Sequence, residues 1–223
     1  MKKYKCLVLD HDDTIVDSTR LVHFPAFVDY LKIHYPHLAD NYTLEDYLRK
    51  NFHPGVIELF RDEIGMSEEE MKEEEKFWSN YVKSHSPKAF PGIREIMLDF
   101  KRAGGIIAID SHSFKENIER DFKTNGLPPP DIIYGWDLPK EQRKPSSYTM
   151  FDLMKKFSLS PSEILVVDDL KPGYDMAKGA GVDFAAAGWA YDVEEIESFM
   201  RENCDFYLKE VSELEKLVFG GAE

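Results

Sequence analysis

Short apolar runs alternate with helical patterns from residue 89 to the end of the chain, and this alternation limits the possible folds more than any other feature. The runs predict strands at residues 106–109, 132–134, 164–167, around Phe184 and at 206–208. The stretches between them carry apolar residues with the period of one helix face. Strands that alternate with helices form βαβ units. We therefore predict an α/β fold with a doubly wound parallel sheet.

One further strand is predicted ahead of this region, at residues 6–9. The segment that follows it has only helical patterns, including a capping-box pattern that begins at Ser67. Such a change in pattern marks a domain boundary. We predict an all-α cap domain at residues 18–89, inserted into a core that consists of residues 1–17 and 90–223.

The composition excludes several classes of partner. A formal net charge of −14 argues against nucleic-acid binding and against docking on anionic membranes. No apolar run is long enough to span a membrane or to serve as a signal peptide. Cys6 and Cys204 are far apart, as reduced thiols of a cytoplasmic protein are. A small anionic substrate stays possible, because a metal ion and a few lysines can set the local field.

Carboxylates follow two of the predicted strands. Asp10, Asp12 and Asp13 come directly after the first strand, and Asp168 and Asp169 come after the strand at 164–167. Aspartates in such places often only stabilise a turn. In open α/β sheets, however, ligands bind at the carboxyl ends of the strands. Acids gathered there repel one another unless a cation or a proton lies among them, and Mg²⁺ prefers oxygen ligands.

A hydroxyl group and a lysine are expected at the same edge of the sheet. Ser111 follows the strand at 106–109, and Lys144 precedes a helix predicted to begin near Pro145. Taken alone, Ser111 could be a helix cap and Lys144 a surface lysine. Together with the aspartates, on alternating strands, they predict a phosphoryl site in which Lys144 keeps a carboxylate ionised.

These motifs resemble those of the haloacid dehalogenase superfamily, in the subgroup with a helical cap after the first strand. That subgroup includes phosphoglycolate phosphatases and β-phosphoglucomutases. The matching motifs are LVLDHDDTIVDS at 7–18, IIAIDSHS at 106–113, KP at 144–145 and ILVVDDLKPGYDMAKGAG at 164–181. The resemblance covers nearly the whole chain and implies a Rossmann-like core.

The resemblance also implies a mechanism. Asp10 would be the nucleophile that becomes an aspartyl-phosphate, and Asp12 would protonate the leaving oxygen and then activate water. Asp12 must be protonated when it acts, so we expect its pKa to lie above the usual value of about 3.9. Ser111 and Lys144 would hold the phosphoryl group. Mg²⁺ would be bound by four aspartates, of which the second contributes its main-chain carbonyl: Asp10, Asp12, Asp168 and Asp169.

Two residues depart from the family pattern. Asp13 stands where the family has glycine, and we expect a working turn because aspartate tolerates left-handed geometry. Asp110 precedes Ser111 where a smaller or apolar residue is common. Substrate contacts beyond the phosphoryl group are predicted for basic and histidine side chains near the crevice: His23, Arg49 and His112, with Arg20, Lys50 and His53 as further candidates.

We predict that the protein is a Mg²⁺-dependent phosphatase that hydrolyses a small-molecule phosphomonoester. The nearest alternative is a sugar phosphomutase, which needs an acid–base group of the cap beside Asp12. His23 is the candidate, but it lies about one residue further from Asp12 than the family phrase places it. One residue rotates a helix by roughly 100°, so we expect the imidazole to point away. A receiver-like binding module, suggested by ILVVDD, has too little chain after Asp168.

Overall fold

The computed structural model describes residues 4–220 and contains one parallel sheet of six strands. The strands are β1 (Cys6–Leu9), β2 (Ile106–Asp110), β3 (Ile132–Tyr134), β4 (Ile164–Asp168), β5 (Asp183–Ala187) and β6 (Phe206–Leu208). Their order across the sheet is β3-β2-β1-β4-β5-β6. This is the doubly wound order, and it brings the carboxyl ends of β1, β2 and β4 together at the point where the winding reverses. The predicted fold class is confirmed.

Within residues 4–220, nine α-helices lie between these strands and a tenth follows the last of them. They are α1 (Phe24–His34), α2 (Leu44–Phe52), α3 (Val56–Glu58), α4 (Glu68–Ser84), α5 (Ile93–Arg102), α6 (Lys115–Thr124), α7 (Tyr148–Phe157), α8 (Lys171–Ala180), α9 (Glu194–Asn203) and α10 (Val211–Phe219). Among residues 4–220, none of these helices is both long and apolar enough to cross a membrane. Cys6 and Cys204 are free thiols.

Side chains of the central strand alternate between two hydrophobic layers. Leu7 and Leu9 pack with residues of α5, α6 and α10 on one face of the sheet. Cys6 and Val8 pack with residues of α7, α8 and α9 on the other. This period of two is that of a strand buried on both faces. Each buried leucine contributes about 1.5–3 kcal/mol relative to an exposed one, so the layers hold β1 and the acids that follow it in place.

From residue 19 to residue 84 the chain forms helices and turns but no strand, and α1, α2 and α4 enclose an aromatic cluster of their own around Phe27. The two linkers to this helical block run side by side. Val16 forms an antiparallel bridge with Ala89, and the Asp17 amide donates to the Lys88 carbonyl at 2.9 Å. The predicted division at 17/18 and 89/90 coincides with these linkers and stays a prediction; residues 1–3 and 221–223 of the predicted core lie outside the described chain.

The structure corrects one predicted boundary. The helix expected to begin near Pro145 begins at Tyr148 instead. Arg143 to Ser146 form a turn in which the Ser146 amide donates to the Arg143 carbonyl at 2.9 Å. Lys144 is therefore held in a turn ahead of α7 and not on the helix itself.

Candidate active site

Three carboxylates meet at the carboxyl ends of β1 and β4. Asp10, Asp168 and Asp169 each offer an oxygen atom, and these atoms lie within 4.8 Å of one another. All three residues are buried. The Asp10 amide donates to the Val167 carbonyl at 2.9 Å, which ties the end of β1 to β4 and fixes the cluster.

The cluster has the chemistry of a divalent-cation site. Burial, together with the neighbouring carboxylates, raises the pKa of Asp168 to about 7 and holds the pKa of Asp169 well above its usual value. Acids in such a position cannot all ionise without a positive charge among them. Because all three donors are oxygen atoms, these residues fit Mg²⁺. A Cβ on Gly173 would come within 2.1 Å of the Asp168 carboxylate, so the start of α8 needs glycine there.

Lys144 lies against the same acids. Its Nζ donates to Asp168 Oδ2 at 2.7 Å and is 3.1 Å from Asp10 Oδ1. Burial disfavours the ammonium ion, yet the charges of Asp10, Asp168 and Asp110 outweigh it and hold the pKa of Lys144 above its usual value. Lys144 thus places a positive charge 3.1 Å from the Asp10 carboxylate.

Asp12 points towards a different set of partners. Its Oδ2 accepts a hydrogen bond from Ser113 Oγ at 2.6 Å and one from Ser111 Oγ at 3.4 Å. Its Oδ1 accepts from His23 Nε2 at 3.1 Å. Burial alone would raise the pKa of Asp12, but the contacts with His23 and Ser113 prevail and lower it below the usual range. The expectation of a raised pKa was wrong for this arrangement, because these donors stabilise the carboxylate.

His23 faces Asp12, contrary to the expectation that its imidazole points away. The reason is a π-helical turn over Thr19–His23, in which the His23 amide donates to the Ser18 carbonyl at 3.0 Å. A π-helical turn accommodates one extra residue within a helix. The π-helical turn accommodates the additional residue between Asp12 and His23. The imidazole is therefore not rotated away from Asp12, as it would be on a regular helix.

Trp78 of α4 completes this contact. Its indole Nε1–H donates to His23 Nδ1 at 3.0 Å, and the two rings stack with centroids 5.7 Å apart. Since Nδ1 accepts a hydrogen bond from the Trp78 N–H, the hydrogen of the neutral imidazole lies on Nε2, which donates a hydrogen bond to Asp12. Trp78 lies outside the four motifs, and its residue type alone does not indicate this contact.

Most of the other basic candidates of the cap are engaged elsewhere. Within residues 4–220, carboxylates pair with three of them: Arg20 with Asp17, Arg49 with Glu45, Asp46 and Glu195, and Lys50 with Glu63. His53 follows α2 directly and is exposed, and its contact with substrate stays a prediction. The bond from Arg49 Nε to Glu195 Oε1 is 3.0 Å and joins α2 to α9. In this arrangement Arg49 connects cap and core, and its contact with substrate stays a prediction.

His112 lies at the rim of the site. Its side chain is exposed, its Nε2 is 3.1 Å from the Lys144 carbonyl, and its ring meets the Trp136 ring edge-on at 5.5 Å. His112 therefore joins the segment after β2, which carries Ser111, to the turn that carries Lys144.

Two residues that the sequence reasoning did not assign support Asp169. Thr14 Oγ1 donates to Asp169 Oδ1 at 3.3 Å, and the Tyr191 hydroxyl donates to Asp169 Oδ2 at 2.9 Å. The threonine of the D-x-D-x-T motif was a signal for the first. Tyr191 comes from the loop after β5, where the sequence carries no motif.

The two departures from the family pattern have visible roles. Asp13 adopts a left-handed φ of 52°, and its Oδ1 accepts hydrogen bonds from the amides of Ser18 and Thr19 at 3.2 and 3.0 Å. It therefore forms a turn that holds the first linker. Asp110 accepts a hydrogen bond from Thr149, and burial raises its pKa to about 6.

Several solved structures have the same fold. A haloacid dehalogenase-like hydrolase from Bacteroides fragilis has a TM-score of 0.78 and 21% identity, over 95% of this chain and 100% of that one. A predicted phosphoglycolate phosphatase from Haemophilus somnus has a TM-score of 0.74 and 19% identity, over 97% and 99%. CbbY from Rhodobacter sphaeroides, in complex with xylulose 1,5-bisphosphate, has a TM-score of 0.61 and 17% identity, over 95% and 96%.

A comparison with curated proteins gives no match. A family model does match, and it spans residues 7–187, which include all four motifs, the helical block and the five strands β1 to β5. The agreement of this match with the fold and with the grouping of the acids shows that the chain belongs to the haloacid dehalogenase-like hydrolase family.

Proposed function

We propose that this protein is a Mg²⁺-dependent phosphatase that hydrolyses a small-molecule phosphomonoester through an aspartyl-phosphate on Asp10. The observation that carries the proposal is the position of Asp10, which lies between a buried lysine and two further buried carboxylates. A buried carboxylate that contacts a lysine ammonium group is suited to act as a nucleophile. Asp12, two residues later, contacts Ser113 and His23 instead of Lys144, and from this position it can donate a proton to the leaving group.

The reaction proceeds in two displacements. In the first, an Asp10 carboxylate oxygen bonds to phosphorus while the ester oxygen leaves with a proton from Asp12. In the second, water attacks the same phosphorus, its proton returns to Asp12, and the bond to Asp10 breaks to release phosphate. The phosphoryl group brings negative charge next to Asp12, and a nearby like charge raises the pKa of a carboxyl group. Asp12 can then carry its proton despite its hydrogen bonds.

The remaining residues hold the transferred group. Lys144 and the Ser111 hydroxyl would contact its equatorial oxygens. Mg²⁺, held by Asp10, Asp168, Asp169 and the main-chain carbonyl of Asp12, would supply further positive charge for the phosphoryl oxygens when bound. Relatives in fold support a small phosphate ester as substrate: one is named a predicted phosphoglycolate phosphatase, and another binds xylulose 1,5-bisphosphate.

The test is phosphate release from a panel of phosphomonoesters with Mg²⁺ present. We expect turnover by the parent protein and a loss of at least about a thousandfold in Asp10→Asn, because an amide is a poor nucleophile. Asp99→Asn, an exposed change on α5, is the matched control and should behave as the parent. Equal turnover in Asp10→Asn and the parent would remove Asp10 from the mechanism.

A sugar phosphomutase is the second candidate, and the contact between His23 and Asp12 favours it. Both imidazole nitrogens are engaged, however: Nδ1 accepts from Trp78 and Nε2 donates to Asp12. With no free nitrogen, His23 cannot assist a sugar hydroxyl, and water is the simpler acceptor. The deciding assay follows phosphate release and glucose 6-phosphate formation together, from β-glucose 1-phosphate with a trace of the 1,6-bisphosphate. Rapid isomerisation with negligible phosphate release would favour the mutase.

A receiver-like module lacks support from the fold. The segment ILVVDD forms β4, the fourth strand of a continuous six-stranded sheet, and not the first strand of a separate domain.

A further inference from the structure

Arg143 differs from every other arginine among residues 4–220, because no carboxylate pairs with it. The arginines that do have such a partner are Arg20, Arg49, Arg61, Arg94, Arg102, Arg120 and Arg201. A chain with a net charge of −14 offers many carboxylates. An arginine that stays without one, immediately before the catalytic-site lysine Lys144, therefore calls for an explanation.

The guanidinium group is held in a fixed orientation. Its central carbon lies 4.1 Å from the centroid of the Trp136 ring, and its Nε donates to the Leu138 carbonyl at 2.6 Å. Stacking on an aromatic face orients a guanidinium and leaves its terminal amino groups free to bind an anion bidentately. Two acids are close to Arg143 in sequence. Glu141 forms no ion pair with it within residues 4–220, and Asp137 Oδ2 accepts a hydrogen bond from the Lys115 amide at 2.8 Å.

Arg143 is connected to the phosphoryl site through adjoining groups. Trp136 contacts His112 edge-on, and His112 Nε2 lies against the carbonyl of Lys144. His112 in turn follows Ser111, whose hydroxyl reaches Asp12. These contacts form a continuous row of four residues, which begins at the leaving-group side of the crevice and ends at a guanidinium without a paired carboxylate: Ser111, His112, Trp136 and Arg143. We call this row the rim.

We propose that the rim binds a second anionic group on the substrate, with Arg143 as its principal ligand, so that the preferred substrate is a phosphomonoester whose leaving group carries a carboxylate or a second phosphate. This inference rests on the proposed phosphatase function. Both anions present the paired oxygen atoms that a guanidinium fork recognises. The arginines and the lysine of the cap that the sequence offered as substrate contacts are already paired with carboxylates: Arg20, Arg49 and Lys50.

The experiment compares matched pairs of esters that differ only in the second anionic group. One pair is 3-phosphoglycerate and glycerol 3-phosphate, for the carboxylate. The other is fructose 1,6-bisphosphate and fructose 1-phosphate, for the second phosphate. Selectivity is the ratio of kcat/KM for the anionic member to kcat/KM for its partner. It is measured with the parent protein, with Arg143→Met, which keeps an unbranched side chain over Trp136, and with the control Arg201→Met.

Arg201 is a matched control because its guanidinium also lies 4.1 Å from an aromatic centroid, that of Tyr207, and it pairs with Glu197. We expect Arg143→Met to lower selectivity in at least one pair by roughly 10- to 100-fold, mainly through KM, the range for loss of a charge-assisted hydrogen bond. Arg201→Met should leave selectivity as in the parent. The pair that responds identifies the anion.

Unchanged selectivity in both pairs, in an Arg143→Met protein that still hydrolyses esters, would overturn the inference. An equal loss for both members of each pair would also overturn it, because Arg143 would then only shape the loop before Lys144. If the parent hydrolyses no ester, the phosphatase proposal fails, and the rim is judged by calorimetric Kd values for the same pairs. Tighter binding of the anionic members that is lost in Arg143→Met would support it, and equal Kd values would contradict it.

Discussion

The His23 imidazole, carried by the helical block, donates its Nε2 proton to Asp12 Oδ1 at 3.1 Å. On the opposite side of the ring, the Trp78 indole N–H donates a hydrogen bond to His23 Nδ1 at 3.0 Å and holds the imidazole in this orientation. A side chain on one end of the inserted helices thus contacts the proposed acid–base group of the core. Any movement of that block relative to the sheet would change the hydrogen bonding of Asp12, and lids of this kind often control access to a reaction centre.

His23→Ala should lower kcat for phosphate release by about tenfold or more, because Asp12 loses the hydrogen bond that holds its carboxyl group in position for proton transfer, and a hydrogen bond to a charged group is worth about 1.5–3 kcal/mol. Trp78→Phe should have a smaller effect, since it keeps the stacking and removes only the N–H donor. Steady-state kinetics on one ester measure both. His37→Ala, an exposed histidine of the same block, is the control. A His23→Ala protein with the kinetics of the parent would show that the contact plays no part in turnover.

Removal of divalent metal should abolish turnover and lower thermal stability together. The buried acids Asp10, Asp168 and Asp169 repel one another without a cation, and a ligand at 100 times its Kd stabilises the folded state by about 2.7 kcal/mol. Differential scanning fluorimetry with Mg²⁺ or with EDTA measures the shift in Tm. Asp169→Asn should abolish most of this shift. An equal Mg²⁺-dependent shift in Asp169→Asn would place the metal elsewhere.

Asp13→Gly should retain most activity, whereas Asp13→Ala should be less stable than Asp13→Gly by about 1–2 kcal/mol. Both variants lose the hydrogen bonds to the amides of Ser18 and Thr19, but only alanine keeps a Cβ at a left-handed φ of 52°. Urea unfolding followed by circular dichroism gives the two free energies. Equal stability of the glycine and alanine variants would mean that this turn relaxes to an ordinary φ.

Residues whose positions follow from strand periodicity were predictable. Asp10, Ser111 and Asp168 each lie at the end of a strand or directly after it. A parallel sheet brings such positions to the same edge, whatever the conformation of the loops that follow. His23 was not predictable in the same way, because a π-helical turn depends on local hydrogen bonding and changes no residue type. Arg143 and Tyr191 lie in loops, which have no regular spacing of apolar residues. The direction of their side chains depends on tertiary contacts.

The pKa of Asp12 shows a further limit of sequence reasoning. The chemistry requires a proton on Asp12 and so implies a raised pKa, but the structure surrounds the carboxylate with donors from Ser113 and His23 that lower it. A motif identifies the residue and its reaction, whereas its resting protonation depends on neighbours from other segments of the chain.

Glu74 of α4 should make the stability of the protein depend on pH. Its side chain is buried, and burial together with the charge of Glu75 raises its pKa to about 7 from 4.5. The folded state therefore binds the proton more tightly than the unfolded state does, and the free energy of unfolding falls as pH rises from about 4.5 to about 7. Above pH 7 Glu74 is ionised in the folded state as well, so the free energy of unfolding stays at its lowered value.

Glu74→Gln removes this ionisation while keeping the shape of the side chain. The variant should gain stability relative to the parent as pH rises, with a difference of roughly 1–2 kcal/mol between pH 6 and pH 8.5 for a pKa shift of this size. Urea unfolding at both pH values, away from the isoelectric point near 5.0, measures it. The exposed neighbour Glu73→Gln is the control and should show no such dependence. A Glu74→Gln effect that is the same at both pH values would mean that Glu74 is already ionised at pH 6 in the folded protein.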